Sequence, residues 1–463
     1  MFFLSMKKKF PYEIKFVFVF FLFWYFLLGI NPMFEPFIGD DLHLIRIYTN
    51  EELINVWFDN WDPDEIETSA YRPLAVLFYH FQALIFGEKV YLHSLFINTM
   101  QFILVILITI FFKKLEFSKT QISILIPLLI FSKIFITLSA WKTLSPLLFC
   151  YINFFFTALF FIKWMKKQKN KYLVLIFLFS FISIFTREEV YHLSFFIILI
   201  GVYLSKEINF EKLKKIIPPF IIIFLITIIH YLLRSYFVSE APSINVNLIG
   251  IQGFLLSGLA VGLPGGLFTT SIEEKIFQIW WLLSLIITIF TIFKYKYFNK
   301  LFFKKIIILF LIVGLLTSPM IMIHRDFGIF LPTIFSLAII SMLASKLLDS
   351  KKITKKVKSQ KILINIIVIS IILSGTIGGY KRSHEHLLTW NHKSIFMISG
   401  DSHWIYGKKN IPTIPLDRKK SKIIQLMKYD IKNFISISEI QKNIGINKKF
   451  SEIIIPNHFP LKF

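Results

Sequence analysis

Apolar stretches of about 17 to 25 residues recur along this chain, and short clusters of lysine stand between them. That is the length an α-helix needs to cross the hydrocarbon layer of a bilayer. Read in order, the stretches predict spans over 16–30, up to Lys113 and Lys114, over 121–140, back to Lys163, and over 172–186 and 190–204. They continue over 216–236, 276–293, 306–323, 328–346 and 363–380. The expectation is an all-α polytopic membrane protein with about eleven transmembrane helices. Leu248–Phe268 is also apolar enough to cross, but it carries Gly250, Gly253, Gly258, Gly262, Gly265, Gly266 and Pro264. If it crossed, every later lysine cluster would change sides, so it is expected to be a re-entrant or surface segment.

The lysine clusters set the sidedness. Lys7, Lys8, Lys9 and Lys15 precede the first span, and the later clusters include Lys166, Lys167, Lys169, Lys206, Lys294, Lys304, Lys305 and the run Lys351–Lys361. The positive-inside rule places them in the cytoplasm. No small-residue cleavage site follows the first span (Asn31, Pro32, Met33 and Phe34 come next), so a retained signal anchor is expected. The N-terminus is then cytoplasmic, and a large first extracytoplasmic loop covers 32–91. Residues 1–380 form the membrane core, and 381–463 form a small extracytoplasmic C-terminal region.

Composition agrees with this. Of the 463 residues, 55% are hydrophobic, and mean hydropathy is +0.65. A soluble domain has too little interior to hide that much apolar surface. The 55 Phe, with many Ile and Lys, have the look of a nucleotide-composition bias, so no single Phe is read as functional. Cys150 is the one cysteine, which rules out an intramolecular disulfide. The net charge of +24 comes in clusters between spans, which excludes a nucleic-acid reading in favour of topology.

Arginine changes the picture. Only Arg46, Arg72, Arg187, Arg234, Arg325, Arg382 and Arg418 occur in a chain otherwise supplied with lysine, and none falls in a cytoplasmic cluster. A lysine suffices as a topological charge, whereas a guanidinium fork binds phosphate or carboxylate through two parallel bonds. The set suggests an anionic ligand, with phosphate first, at the extracytoplasmic edge. The plain alternative is pairing with nearby carboxylates or snorkelling to headgroups.

Acidic residues gather on the same side. Asp40 and Asp41 follow the first span in Ile38-Gly39-Asp40-Asp41. One of them could serve as a general base, or they could cap a solvated helix. Asp59, Asp62, Asp64, Glu65 and Glu67 accompany Trp57 and Trp61 and read as a solvated amphipathic loop helix. Tyr71-Arg72-Pro73-Leu74 heads a segment, Ala75–Phe86, whose apolar face suits a helix lying on a membrane surface. Thr186-Arg187-Glu188-Glu189 and His324-Arg325-Asp326 are tight turns at the same edge. Either turn could be a ligand contact or a local ion pair. The histidines show no metal-binding spacing, and His80 and His93 read as residues on helix faces.

Taken together, Gly39-Asp40-Asp41, a tryptophan-bearing loop, Tyr71-Arg72-Pro73-Leu74, His93 and Asn98 at the next span, and the Arg187-Glu188 and Arg325 turns resemble the GT-C superfamily of membrane glycosyltransferases. That superfamily includes protein O-mannosyltransferases and the lipid A aminoarabinose transferase. The resemblance covers roughly residues 14–390. It implies a GT-C-like fold and a polyprenyl-phosphate sugar as donor. It also implies inverting transfer on the extracytoplasmic face of the cell membrane, to a hydroxyl of a glycan, lipid or protein. It maps catalytic roles onto Asp40 or Asp41 and Glu188; the arginine reading itself assigns donor-phosphate binding to Arg72, Arg187, Arg325 and Arg382, with His324 as a second anion contact. The turn Ser139-Ala140-Trp141-Lys142-Thr143 has no carboxylate where several members carry one, so a divalent metal stays an open possibility. A transporter or flippase, or a polymerase or ligase of lipid-linked glycans, is the rival class. No internal repeat supports the former, and the largest loop lies early rather than late.

Overall fold

The computed structural model describes residues 12–29, 44–59, 70–87, 89–205, 210–238, 300–318 and 330–348. It also describes single helical positions between 362 and 376 and three short strands beyond 393. Among the described residues twelve α-helices come in chain order: α1 (Tyr12–Trp24, continued by a π-turn Tyr25–Gly29), α2 (Asn50–Asn55), α3 (Pro73–Phe86), α4 (Val90–Lys114), α5 (Lys119–Ile130) and α6 (Lys133–Ala140). The series goes on with α7 (Ser145–Lys167), α8 (Asn170–Thr186), α9 (Leu193–Leu204), α10 (Phe210–Phe237), α11 (Lys300–Thr317) and α12 (Phe330–Leu348). Local sequence starts several of them. Thr49 with Glu52 and Ser118 with Gln121 form reciprocal capping boxes, and Pro73 and Pro146 sit in first turns, where a missing N–H costs nothing.

α7 is the centre of the bundle, buried on nearly all sides. It packs against α8 and α4, while α12 joins α5 and α11, and α10 covers α8 and α9. The core is aromatic, with Phe111, Phe112, Phe154, Phe155, Phe196 and Phe335 in mutual ring contact. The α9–α10 approach is so close that a Cβ on Gly201 would meet the Ile216 side chain.

Three helical stretches, Tyr91–Lys114, Lys142–Lys167 and Phe210–Phe237, are long and apolar enough to cross a membrane. Shorter apolar helices cover Pro73–Phe86, Lys119–Ile130, Asn170–Thr186 and Phe330–Lys346. α10 exposes Ile217, Ile221, Leu225, Ile229 and Leu232, a face suited to lipid rather than water. The chain is thus a membrane protein, but the count of about eleven spans is not reached among the described residues. The expected span 121–140 is broken into α5 and α6, because Ser132 caps the Phe135 N–H and starts a new helix. The expected span 190–204 shortens to α9, since Glu188–Val190 forms a 3₁₀ turn first. Spans 276–293 and 363–380 and the segment 248–268 lie outside the described residues, apart from the single positions noted above. In the C-terminal region Ser394–Ile398 pairs antiparallel with both Ile423–Leu426 and Ile453–Ile454.

Charge sorts along the helix axes. At one end Lys113 meets Glu13 at 2.9 Å, Lys305 meets Glu116 at 3.1 Å, and Lys304 donates to the Ser205 carbonyl at 2.8 Å. The contacts of Arg72, Arg187 and Arg234 lie at the opposite ends of α8, α9 and α10. A 17-residue helix such as α8 separates the two by about 25 Å.

Candidate functional site

The site is built where α8 ends. Thr186 is the last helical residue, and Arg187 follows in extended conformation (φ −158°, ψ 137°). The 3₁₀ turn Glu188–Val190 then leads into α9. This short path holds three consecutive charged side chains at the edge of an apolar bundle, where unpaired charge is costly. Each has a partner. Arg187 grips Glu189 through two nitrogens, with Nη2 to Oε1 at 2.8 Å and Nε to Oε2 at 3.0 Å. Glu188 reaches the first loop. Its Oε2 accepts from Arg72 Nε at 2.7 Å, and its Oε1 accepts from the Tyr71 backbone N–H at 2.8 Å.

One carboxylate therefore clamps two adjacent residues from a segment more than a hundred positions earlier. The pair is buried, with side-chain exposures of 10% for Arg72 and 12% for Glu188. Burial alone would raise the Glu188 carboxyl, but the Arg72 guanidinium more than offsets this and holds it below the usual carboxylate range. Glu189 is likewise held low, with burial opposed by Arg187, and Arg187 is correspondingly fixed in its charged form.

Around the clamp stands an aromatic wall. The Tyr71 hydroxyl donates to the Trp57 carbonyl at 2.8 Å, and its ring stacks on Phe237 with centroids 6.2 Å apart. Burial pushes that phenol up to about 12. Phe185 closes one side, in contact with Trp57, Tyr71 and His230. Behind it, Tyr79 of α3 donates to the Thr143 carbonyl at 2.7 Å. A neutral chain runs beside it: Ser145 donates to Gln82, Gln82 to His93 Nδ1, and His93 Nε2 to the Gly87 carbonyl, at 2.6, 3.0 and 2.8 Å. Lys142, in the turn before α7, is fully buried next to this chain.

The structure thus brings together Arg72, Arg187 and Glu188 of the expected site. Asp40, Asp41, His324, Arg325 and Arg382 lie outside the described residues. Arg187 takes the local-pair alternative, closed on Glu189, whereas Arg72 pairs across the fold. His80 accepts from the Tyr48 N–H at 3.0 Å, and His93 is buried in the chain just described. Sequence reasoning missed Tyr191 and His230 as members. The one available signal for His230 was its place one helical turn before Arg234 on an otherwise apolar helix. Among the described residues no three His, Cys, Asp or Glu side chains gather to hold a metal. Glu188 and Glu189 fit guanidinium groups and do not by themselves fit a cation site.

No protein-family model and no curated protein matches this chain. Among solved structures it is similar to the Archaeoglobus fulgidus oligosaccharyltransferase in the apo form, with a TM-score of 0.48 and 10% identity over 80% of this chain and 56% of that one. It is also similar to the archaeal oligosaccharyltransferase AglB from Archaeoglobus fulgidus in complex with an inhibitory peptide and a dolichol-phosphate, with a TM-score of 0.46, 11% identity and coverages of 81% and 56%. The chain spans little more than half the length of these structures.

Proposed function

We propose that this chain is a membrane glycosyltransferase that moves a sugar from a polyprenyl-phosphate donor to an acceptor hydroxyl on the extracytoplasmic face. The observation that carries the reading is the buried clamp of Glu188 on Tyr71 and Arg72. A fold that only needed to cross a membrane gains little from joining two loops through charge, because apolar contacts of similar shape serve stability as well or better. A fixed guanidinium at the membrane edge suits chemistry in which negative charge develops on a leaving group held there.

The reaction needs few parts. The acceptor hydroxyl oxygen bonds to the anomeric carbon as the carbon–oxygen bond to the lipid phosphate breaks. A single displacement of this kind inverts the anomeric configuration. The hydroxyl proton passes to Asp40 or Asp41, and the electron pair leaves on the phosphate. Within the clamp and its neighbouring pair, two guanidinium and two carboxylate groups cancel. Contact with the donor phosphate falls to Arg325, His324 and Arg382. Glu188 acts by fixing Arg72 rather than by touching the sugar. The donor tail lies against apolar helix faces while its head reaches the charged rim.

Asp40→Asn and Asp41→Asn variants in isolated membranes test the base. At least one should lose sugar transfer by about a thousandfold while its protein level matches wild type. Full activity in both removes the base from the mechanism.

A further inference from the structure

The clamp has a support that the chemistry above does not use. On α10, His230 is fully buried, and its Nδ1 lies 2.6 Å from the Tyr191 hydroxyl, in the turn that carries Glu188. Its ring lies 5.2 Å from the Tyr71 ring and 4.7 Å from that of Phe185. Its Nε2 faces the Tyr71 backbone but falls short of hydrogen-bond geometry, and it has no other partner. One turn on, Arg234 lies beside the same Tyr191 hydroxyl.

We propose that the Tyr191–His230 pair is the positioning device that holds the Tyr71–Arg72 segment on Glu188. With the phenol donating to Nδ1, the imidazole keeps its proton on Nε2. Glu188 takes the Tyr71 N–H, and the His230 ring packs against the Tyr71 ring. Tyr191, two residues after Glu189, fixes the imidazole's rotation. A buried histidine with only one hydrogen bond is costly in an apolar helix unless its second edge is used. Here the imidazole, held by Tyr191 and packed 5.2 Å from the Tyr71 ring, orients the segment that aims Arg72. The inference deepens the glycosyltransferase reading, since it names what sets the geometry of the same site. α10, otherwise a lipid-facing helix, thereby gains a direct hold on the first loop.

Hydrogen exchange of the full-length protein in detergent tests this without any substrate. The reporter is the Tyr71 amide, which is protected by its bond to Glu188. His230→Leu and Tyr191→Phe should each speed its exchange roughly tenfold, with α4 and α7 amides unchanged. His230→Asn keeps an acceptor in the place of Nδ1 and should restore most of the protection lost in His230→Leu. Wild-type exchange at Tyr71 in both variants overturns the proposal. Equal loosening of α4 and α7 overturns it as well, because His230 would then be a packing residue only. No transfer assay enters the readout, so absence of sugar transfer would count against the function and leave this result standing.

Discussion

Removing Arg72 while leaving Glu188 charged creates an orphan carboxylate in a site where both side chains are about nine-tenths buried. Little solvent screens it, so Arg72→Met should cost about 3–5 kcal/mol, the range for breaking a buried pair from one side. Glu188→Gln should cost somewhat less, since the amide oxygen still accepts from the Tyr71 N–H. The double variant should recover most of the loss, because no unpaired charge remains. Unfolding entropy of about 2 cal/mol/K per residue over 463 residues makes about 1 kcal/mol correspond to roughly 1 °C if the helical part melts as one unit. Arg72→Met should therefore lower Tm by about 3–5 °C, and the double variant by no more than about 2 °C. The protein carries its own reporter. Cys150 is fully buried in α7, with Sγ 3.4 Å from the Ser183 carbonyl, so a thiol-reactive fluorophore labels it only as the bundle opens. A double variant as unstable as the sum of the two singles would show that the residues do not interact, and the clamp would be refuted.

Two other outcomes follow from the same geometry. Glu188 and Glu189 are both held below the usual carboxylate range, so the folded state binds fewer protons than the unfolded chain. Their contribution is complete above about pH 4.5 and is lost as pH falls toward their folded values. Thermal stability should drop below that point, and a melting temperature flat from about pH 5 to 3 contradicts the assignment. Gly87 ends α3 at φ +54° and ψ −135°, a conformation closed to side chains. Gly87→Ala should cost about 1–3 kcal/mol and displace the carbonyl that His93 binds, measured by the same thiol assay.

The membrane character of the chain was plain from the length of its apolar runs, because lipid imposes one backbone solution on any such segment. Arg72, Arg187 and Arg234 stand at helix ends opposite Lys113, Lys304 and Lys305. Helix breaks were harder to see. Nothing in the apolar pattern of 121–140 distinguishes a continuous span from two helices, and only the Ser132 cap decides it. The partner of Glu188 was illegible for a different reason. Arg187 is adjacent in sequence and chemically equivalent to Arg72, so pattern alone cannot say which carboxylate takes which guanidinium. Chain geometry chooses. The turn directs Glu189 back to Arg187 and Glu188 across to the first loop. His230 was overlooked because one polar residue in an apolar helix has no periodic signature.

The central claim is transfer of a sugar from a lipid phosphate. The purified full-length protein, reconstituted in vesicles and given polyprenyl-phosphate sugars labelled in the sugar, tests it most directly. The account predicts that label leaves the lipid, that free polyprenyl phosphate accumulates in equal amount, and that Arg72→Met slows both together. Label that stays on the lipid for every donor, and that merely moves intact from one leaflet to the other, would contradict it.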